Sequence, residues 1–204
     1  MVTRLSRENN DLNEFNILIC ASGGGGNFQT IVDAQEELGI KIFHLIVDRQ
    51  CGAINRALKA RITYSILDFS QDRDIVIREF LDAIPKNTKL IVLAGFMPIL
   101  PDEICYLWSG RIINTHPSLL PKFGGKGMYG VKVQEAVLAA GEEFAGCTVH
   151  FVTPEIDGGE IILQKSISVH PNETAWQLGQ RVYKEENRLL LDSIKLLKSK
   201  FKIG

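Results

Sequence analysis

The chain predicts an α/β fold: a doubly wound, mostly parallel sheet with helices on both faces, extended by an antiparallel pair of strands near its C-terminal end. Three observations carry this expectation. Apolar runs of strand length alternate with segments of helical period as far as Asn114. A glycine cluster follows the first run directly, where such sheets place ligands, beyond the carboxyl ends of their strands. Two late apolar runs are joined by a link too short for a helical crossover, so they pair antiparallel. With 204 residues and 45% hydrophobic content, the chain can bury a full core as one domain over 1–204, with 1–15 as a flexible N-terminal extension.

The elements follow in order. Asn16 to Cys20 is a short β run, and Phe28, Ile31, Val32, Ala34 and Leu38 form a helical stripe that stops at Gly39. Lys41 to Val47 reads as a second strand, Ile54 to Ala60 as a helix and Thr63 to Leu67 as a third strand. Asp72 to Ile84 is helical by period, Leu90 to Ala94 is a buried strand, and Pro101 to Trp108 is a short helix opened by proline. Arg111 to Asn114 makes the fifth strand. Beyond it, Pro117 to Gly130 holds two prolines and four glycines and is an irregular loop. Gln134 to Ala140 is helical, Cys147 to Val152 and Ile161 to Val169 are strands, and Thr174 to Lys200 is a long final helix.

Bulk properties exclude several classes. Twenty-three basic residues against twenty-four acidic ones leave a net charge of −1, so no global field favours nucleic acid or an anionic membrane. No apolar stretch reaches the about 18 residues that span a bilayer, and the polar start (Arg4, Arg7, Glu8, Asn9, Asn10, Asp11) lacks a signal segment, so the expected compartment is the cytoplasm. Cys20, Cys51, Cys105 and Cys147 lie far apart without metal-ligand spacing and read as buried, reduced thiols.

The first candidate site is Ser22-Gly23-Gly24-Gly25-Gly26-Asn27. Glycines let backbone N–H groups approach an anion, and the following helix N-terminus adds a favourable field, so a single phosphate group is the natural ligand. The loop lacks the Lys-Ser or Lys-Thr of a triphosphate loop, and Phe28 occupies the last position of a dinucleotide pattern. Asp48, at the end of the second strand, keeps a nucleotide reading open, and a purely structural turn is the other reading.

The second candidate is the set Asn114, His116 and Asp157. The carboxamide and imidazole share parity at the end of an apolar run, Pro117 holds the chain extended behind the ring, and Asp157-Gly158-Gly159 is an acidic tight turn. An amide donor for an oxyanion, an imidazole to move protons and a carboxylate to hold its charge are the equipment of acyl transfer. His44 and His150 lie within apolar runs and read as packing or edge residues, and His170 begins a loop. No serine-elbow or two-histidine metal signature appears.

With these motifs in view, the chain resembles the phosphoribosylglycinamide formyltransferase family from about Asn16 to beyond Leu190. The matching pieces are Ser22 to Asn27, Leu93-Ala94-Gly95-Phe96-Met97, Ile113 to Pro121, Thr148-Val149-His150-Phe151-Val152 and Asp157-Gly158-Gly159. The resemblance implies transfer of a formyl group from 10-formyltetrahydrofolate to the amine of glycinamide ribonucleotide, in de novo purine biosynthesis, with no metal. It implies Asn114, His116 and Asp157 as the catalytic set, and Gly25, Gly26 and Asn27 as the phosphate site. Tyr183, Lys184, Glu185 and Glu186 would contact the ribonucleotide, with Glu186 at its amine. Arg73, Met97, Pro98, Ile99, Leu100, Thr153, Pro154, Glu155, Ile156 and Asp157, together with Asn114, would face the folate. The implied partners are these two small molecules, with neither nucleic acid nor membrane, for a monomer or weak homodimer.

The departures are specific. Gly26 stands where the family often has Ser, Pro98 where Arg is common, and Tyr183 where a polar amide occurs. Phe123 to Gly130 resembles a variant loop within the family, and Lys126 in it reads equally as a phosphate contact or as a solvated charge. A methionyl-tRNA formyltransferase would carry a further nucleic-acid-binding domain and a formyltetrahydrofolate hydrolase a regulatory one ahead of the first strand. A noncatalytic binding protein would tolerate loss of the triad, and all three positions are filled.

Overall fold

A computed structural model describes residues 15–201. The expected extension over 1–15 lies outside the described residues except for Phe15, which opens the first strand instead of preceding it. The described residues form two compact units, divided between Pro98 and Ile99.

The first unit runs β1 (Phe15–Ala21), α1 (Gly26–Leu38), β2 (Ile40–Val47), α2 (Gly52–Lys59), β3 (Thr63–Ile66), α3 (Arg73–Asp82) and β4 (Thr88–Leu93). Its strands lie in the order β3-β2-β1-β4, and the pairs are parallel. β1 has neighbours on both sides and all of its residues are buried, which is why it reads as an unbroken apolar run. β3 is short and largely exposed, as an edge strand should be. α1 ends at Gly39, whose left-handed backbone (φ 58°) turns its N–H back to the carbonyls of Gln35 and Glu36. α3 starts where the Asp72 carboxylate accepts from the Asp74 N–H.

The second unit runs α4 (Asp102–Leu107), β5 (Ile112–His116), α5 (Val131–Ala139), β6 (Phe144–Phe151), β7 (Ile161–Ser168) and α6 (Ala175–Phe201). β6 pairs antiparallel with β7, as the short link between the late runs requires, and antiparallel with β5 as well. Two expectations are corrected. His116 is the last residue of β5, paired with Thr148, and does not lie past the strand end. β6 starts at Phe144, not Cys147, because Ala145 and Gly146 are poor strand formers that pair with Ile167 and Ser166 of β7 all the same. α6 packs on β6 through a buried stripe that includes Leu178, Val182, Glu186, Leu189 and Leu190.

Candidate active site

Strand alternation sends Asn114 and His116 to one face of β5, and register places His150 and Thr148 of β6 opposite them on that face. Asn114 Nδ2 lies 3.2 Å from His150 Nε2. His150 Nδ1–H donates to the Phe151 carbonyl at 2.9 Å, so in the neutral ring Nε2 carries the lone pair that accepts from Asn114. That leaves the second amide hydrogen of Asn114 for another acceptor. His116 Nε2–H donates to the Phe123 carbonyl at 2.9 Å, while its Nδ1 faces Asp157 Oδ2 at 3.5 Å. The other oxygen, Asp157 Oδ1, lies 3.6 Å from His150 Nε2.

Asp157 is therefore shared by two imidazoles. Burial pushes its carboxyl up, but a hydrogen bond from the His150 ring in its protonated form, the charge of His116 and the Gly125 N–H outweigh that effect, and the net shift is downward. The Gly125 N–H donates to Oδ2 at 2.8 Å. Asp157 itself adopts φ 55°, which the short polar side chain tolerates and which turns the carboxylate back towards β5. Gly124 allows this approach: a Cβ there would come within 2.5 Å of Leu120 Cδ2 and 3.3 Å of Asp157 Cβ.

The segment behind His116 is pinned by side chains that sequence reasoning passed over. Thr148 Oγ1 donates to the Ser118 carbonyl at 2.7 Å and accepts from the Leu120 N–H at 3.1 Å. Gln164 reaches both Thr148 Oγ1 and the Leu120 carbonyl, and Gln134 Nε2 donates to the Pro117 carbonyl at 2.7 Å. These bonds hold the chain that follows the imidazole in one conformation. An apolar cavity of about 360 Å³ in this unit is lined by Leu119, Phe123 and Phe144 among others, and none of the three candidate catalytic residues borders it.

In the first unit, the glycine loop runs from β1 into α1. Gly25 is its left-handed N-cap residue (φ 70°), and a Cβ there would stand 2.8 Å from Ala53. Gly26 opens the helix and Asn27 is buried in its first turn. α2 braces the loop: the Ala53 N–H donates to the Gly23 carbonyl at 3.1 Å and Arg56 Nε to the Gly24 carbonyl at 2.7 Å. Ser22 Oγ accepts from the Met97 N–H at 2.8 Å, tying the loop to the segment after β4. The left-handed turn and the start of a 13-residue helix supply the N–H groups and field that suit a phosphate.

The remaining predicted residues are placed as follows. Arg73 is the first residue of α3. Met97, Ile99 and Ile156 expose apolar side chains, whereas Leu100 is buried. Thr153 Oγ1 donates to the Glu155 carbonyl within the loop that ends at Asp157. Tyr183 and Lys184 are on the exposed side of α6, and Glu185 pairs with Arg188 at 2.8 Å. Glu186 is buried and accepts from Thr115 Oγ1 at 3.1 Å. Because Thr115 points away from the face of Asn114 and His116, Glu186 meets β5 on the opposite face of the strand. For His150 the expectation is corrected: it is no mere packing residue, since it contacts both Asn114 and Asp157. Its signal was the even offset from Thr148 in an antiparallel strand, legible only once the register is known.

The four cysteines are free, and Cys51 is only half-buried, against the expectation for it. Among the described residues, no helix is long and apolar enough to cross a membrane.

The formyl transferase family model matches residues 15–194. The chain is 34% identical over 89% of its length to a chloroplastic phosphoribosylglycinamide formyltransferase of Vigna unguiculata, and spans about 60% of the length of that relative. Among solved structures, the phosphoribosylglycinamide formyltransferase of Coxiella burnetii has a TM-score of 0.85 at 34% identity, covering 92% of this chain and 89% of that one. Glycinamide ribonucleotide transformylase 1 of Symbiobacterium toebii has a TM-score of 0.82 at 33% identity, with the same coverage. This likeness bears out the mostly parallel α/β class with an antiparallel end. The chain belongs to the formyl transferase family.

Proposed function

We propose that this chain transfers the formyl group of 10-formyltetrahydrofolate to the amine of glycinamide ribonucleotide, giving formylglycinamide ribonucleotide and tetrahydrofolate in de novo purine biosynthesis. The observation that carries the reading is the cluster of Asn114, His116, His150 and Asp157 about the carboxyl end of β5, joined by one hydrogen bond and two imidazole–carboxylate contacts. Relatives that match most of this chain and bear that activity in their names support it.

The folate supplies the formyl group, and the chain's residues do the rest. As the neutral amine attacks the formyl carbon, charge gathers on the formyl oxygen. The unused amide hydrogen of Asn114 is a donor to it. His116 Nε2–H is the second donor, once it exchanges the Phe123 carbonyl for that oxygen. Ionised Asp157 stabilises the imidazolium while His116 passes a proton from the new ammonium towards the departing folate nitrogen. His150 keeps the Asn114 amide oriented.

Binding roles follow the family pattern. Gly25, Gly26 and Asn27 hold the ribonucleotide's phosphate through backbone N–H groups, so that Gly26 in place of Ser costs one hydroxyl and no backbone donor. Tyr183 to Glu186 contact the same substrate. Arg73, Met97 to Leu100 and Thr153 to Asp157 face the folate, and exposed apolar side chains such as Ile99 and Ile156 suit a pterin. The free thiols agree with a reducing compartment, for which we take the cytoplasm, and with a monomer or weak homodimer that needs no disulfide.

The test is release of tetrahydrofolate from 10-formyltetrahydrofolate by purified protein, with and without glycinamide ribonucleotide. Release that depends on the ribonucleotide is the expected result. Equal release without it marks a hydrolase, and no release in either case refutes the proposal.

A further inference from the structure

Thr115 sits between the two candidate catalytic residues of β5 yet serves the other side of the strand. Its side chain points to the face covered by α6, where Val149 is its cross-strand partner and Cys147 lies on the same face. There its hydroxyl donates to Glu186 Oε1 at 3.1 Å, and the pair is buried. The carboxylate makes itself felt nearby: burial, and after it the charges of Glu186 and Glu185, push the Cys147 thiol up to about 12. That thiol consequently stays protonated and offers no competing charge. A carboxylate held in a packed helix–sheet layer by a hydroxyl from the catalytic strand has its position set by that strand.

We propose that Thr115 is a positioning residue: its hydroxyl fixes the Glu186 carboxylate as an acceptor for N–H or O–H donors of the ribonucleotide, on the side of β5 away from the chemistry. This rests on the reading above in which the Tyr183–Glu186 segment contacts that substrate. Because Glu186 and Thr115 lie on the face opposite Asn114 and His116, their loss weakens ribonucleotide binding and leaves the chemical step in place. A side chain without a hydroxyl at 115 would leave Glu186 to be oriented by its remaining contacts alone.

Steady-state kinetics of Thr115→Val, Thr115→Ser, Glu186→Gln and the Thr115→Val/Glu186→Gln double variant test this. Thr115→Val is expected to raise KM for the ribonucleotide about tenfold, the scale of one hydrogen bond to a charged group, with kcat and the folate KM within about twofold of wild type. Thr115→Ser, which keeps the donor, restores the wild-type KM. In the Glu186→Gln background, Thr115→Val adds less than about twofold, since both changes remove one coupling. Thermal melts accompany each variant, and Thr115→Ala replaces Thr115→Val if the latter does not fold. If Glu186→Gln raises KM but Thr115→Val does not, the positioning role is overturned and the substrate contact stands. If Glu186→Gln leaves KM unchanged while ribonucleotide-dependent transfer persists, the substrate contact and the positioning role both fall, but the proposed reaction survives. A fall in kcat with KM unchanged in Thr115→Val also overturns it, by placing the residue in the chemistry.

Discussion

His116 and Asp157 face one another at 3.5 Å, Nδ1 to Oδ2, with both side chains almost wholly withdrawn from solvent. The pairing is held from both ends. The other nitrogen of His116 donates to the Phe123 carbonyl, and the same carboxylate oxygen accepts from the Gly125 N–H. The loop from Phe123 to Gly125 thus sets the spacing of the imidazole and carboxylate directly. Three consequences of this pairing can be measured, and a fourth outcome concerns the glycine loop.

Asp157→Asn removes the charge that stabilises an imidazolium while keeping the shape of the side chain. We expect kcat to fall by about a hundredfold, the scale of about 3 kcal/mol lost from an electrostatic contribution to an acyl-transfer transition state. Circular dichroism should show an unchanged fold.

The same carboxyl gives a pH-dependent stability with a definite sign. Its pKa in the folded protein is lowered, so its contribution is present above the unfolded carboxylate value of about 3.9 and is lost as pH falls through the folded value. The difference in Tm between wild type and Asp157→Asn should therefore be largest above pH about 4 and should close at more acid pH. A difference that grows on acidification would mean that burial governs this group.

His150→Ala leaves the Asn114 amide without its acceptor and Asp157 without one of its two imidazoles. A loss of about tenfold in kcat is expected, as for one oriented hydrogen bond, and His150→Gln, which can still accept, should recover part of it. Wild-type turnover in His150→Ala would show that Asn114 needs no such support.

Gly25→Ala places a Cβ 2.8 Å from Ala53 at a backbone φ of 70°. Left-handed strain alone costs about 1–3 kcal/mol, so Tm should fall. Displacement of the loop should raise KM for the ribonucleotide with little effect on the folate KM, as separate titration of the two substrates would reveal.

Much of the fold was legible because some strands and helix ends carry plain signals. β1 and β4 are buried apolar runs, and α1 announces its end with Gly39. The strand ends were less legible. The apolar run ends at Asn114, but proline constrains the residue ahead of it to extended backbone, and His116 keeps its ladder position. In the site, Asn114, His116 and Asp157 could be named because carboxamide, imidazole and carboxylate announce their chemistry. His150 could not, since its part depends on which residue of β5 it opposes, and a single sequence does not print a register. Glu186 looks like a solvated helix charge until it is counted with Leu178, Val182, Leu189 and Leu190, whose spacing places it on the buried stripe of α6.

The central claim is that Asn114 and His116 stabilise a formyl oxygen during transfer to an amine. Single-turnover formation of formylglycinamide ribonucleotide by wild type, Asn114→Ala and His116→Ala, with both substrates saturating, tests it most directly. We predict transfer by wild type and a loss of about a hundredfold or more in each variant, with the fold retained. Transfer at the wild-type rate in either folded variant would contradict the account.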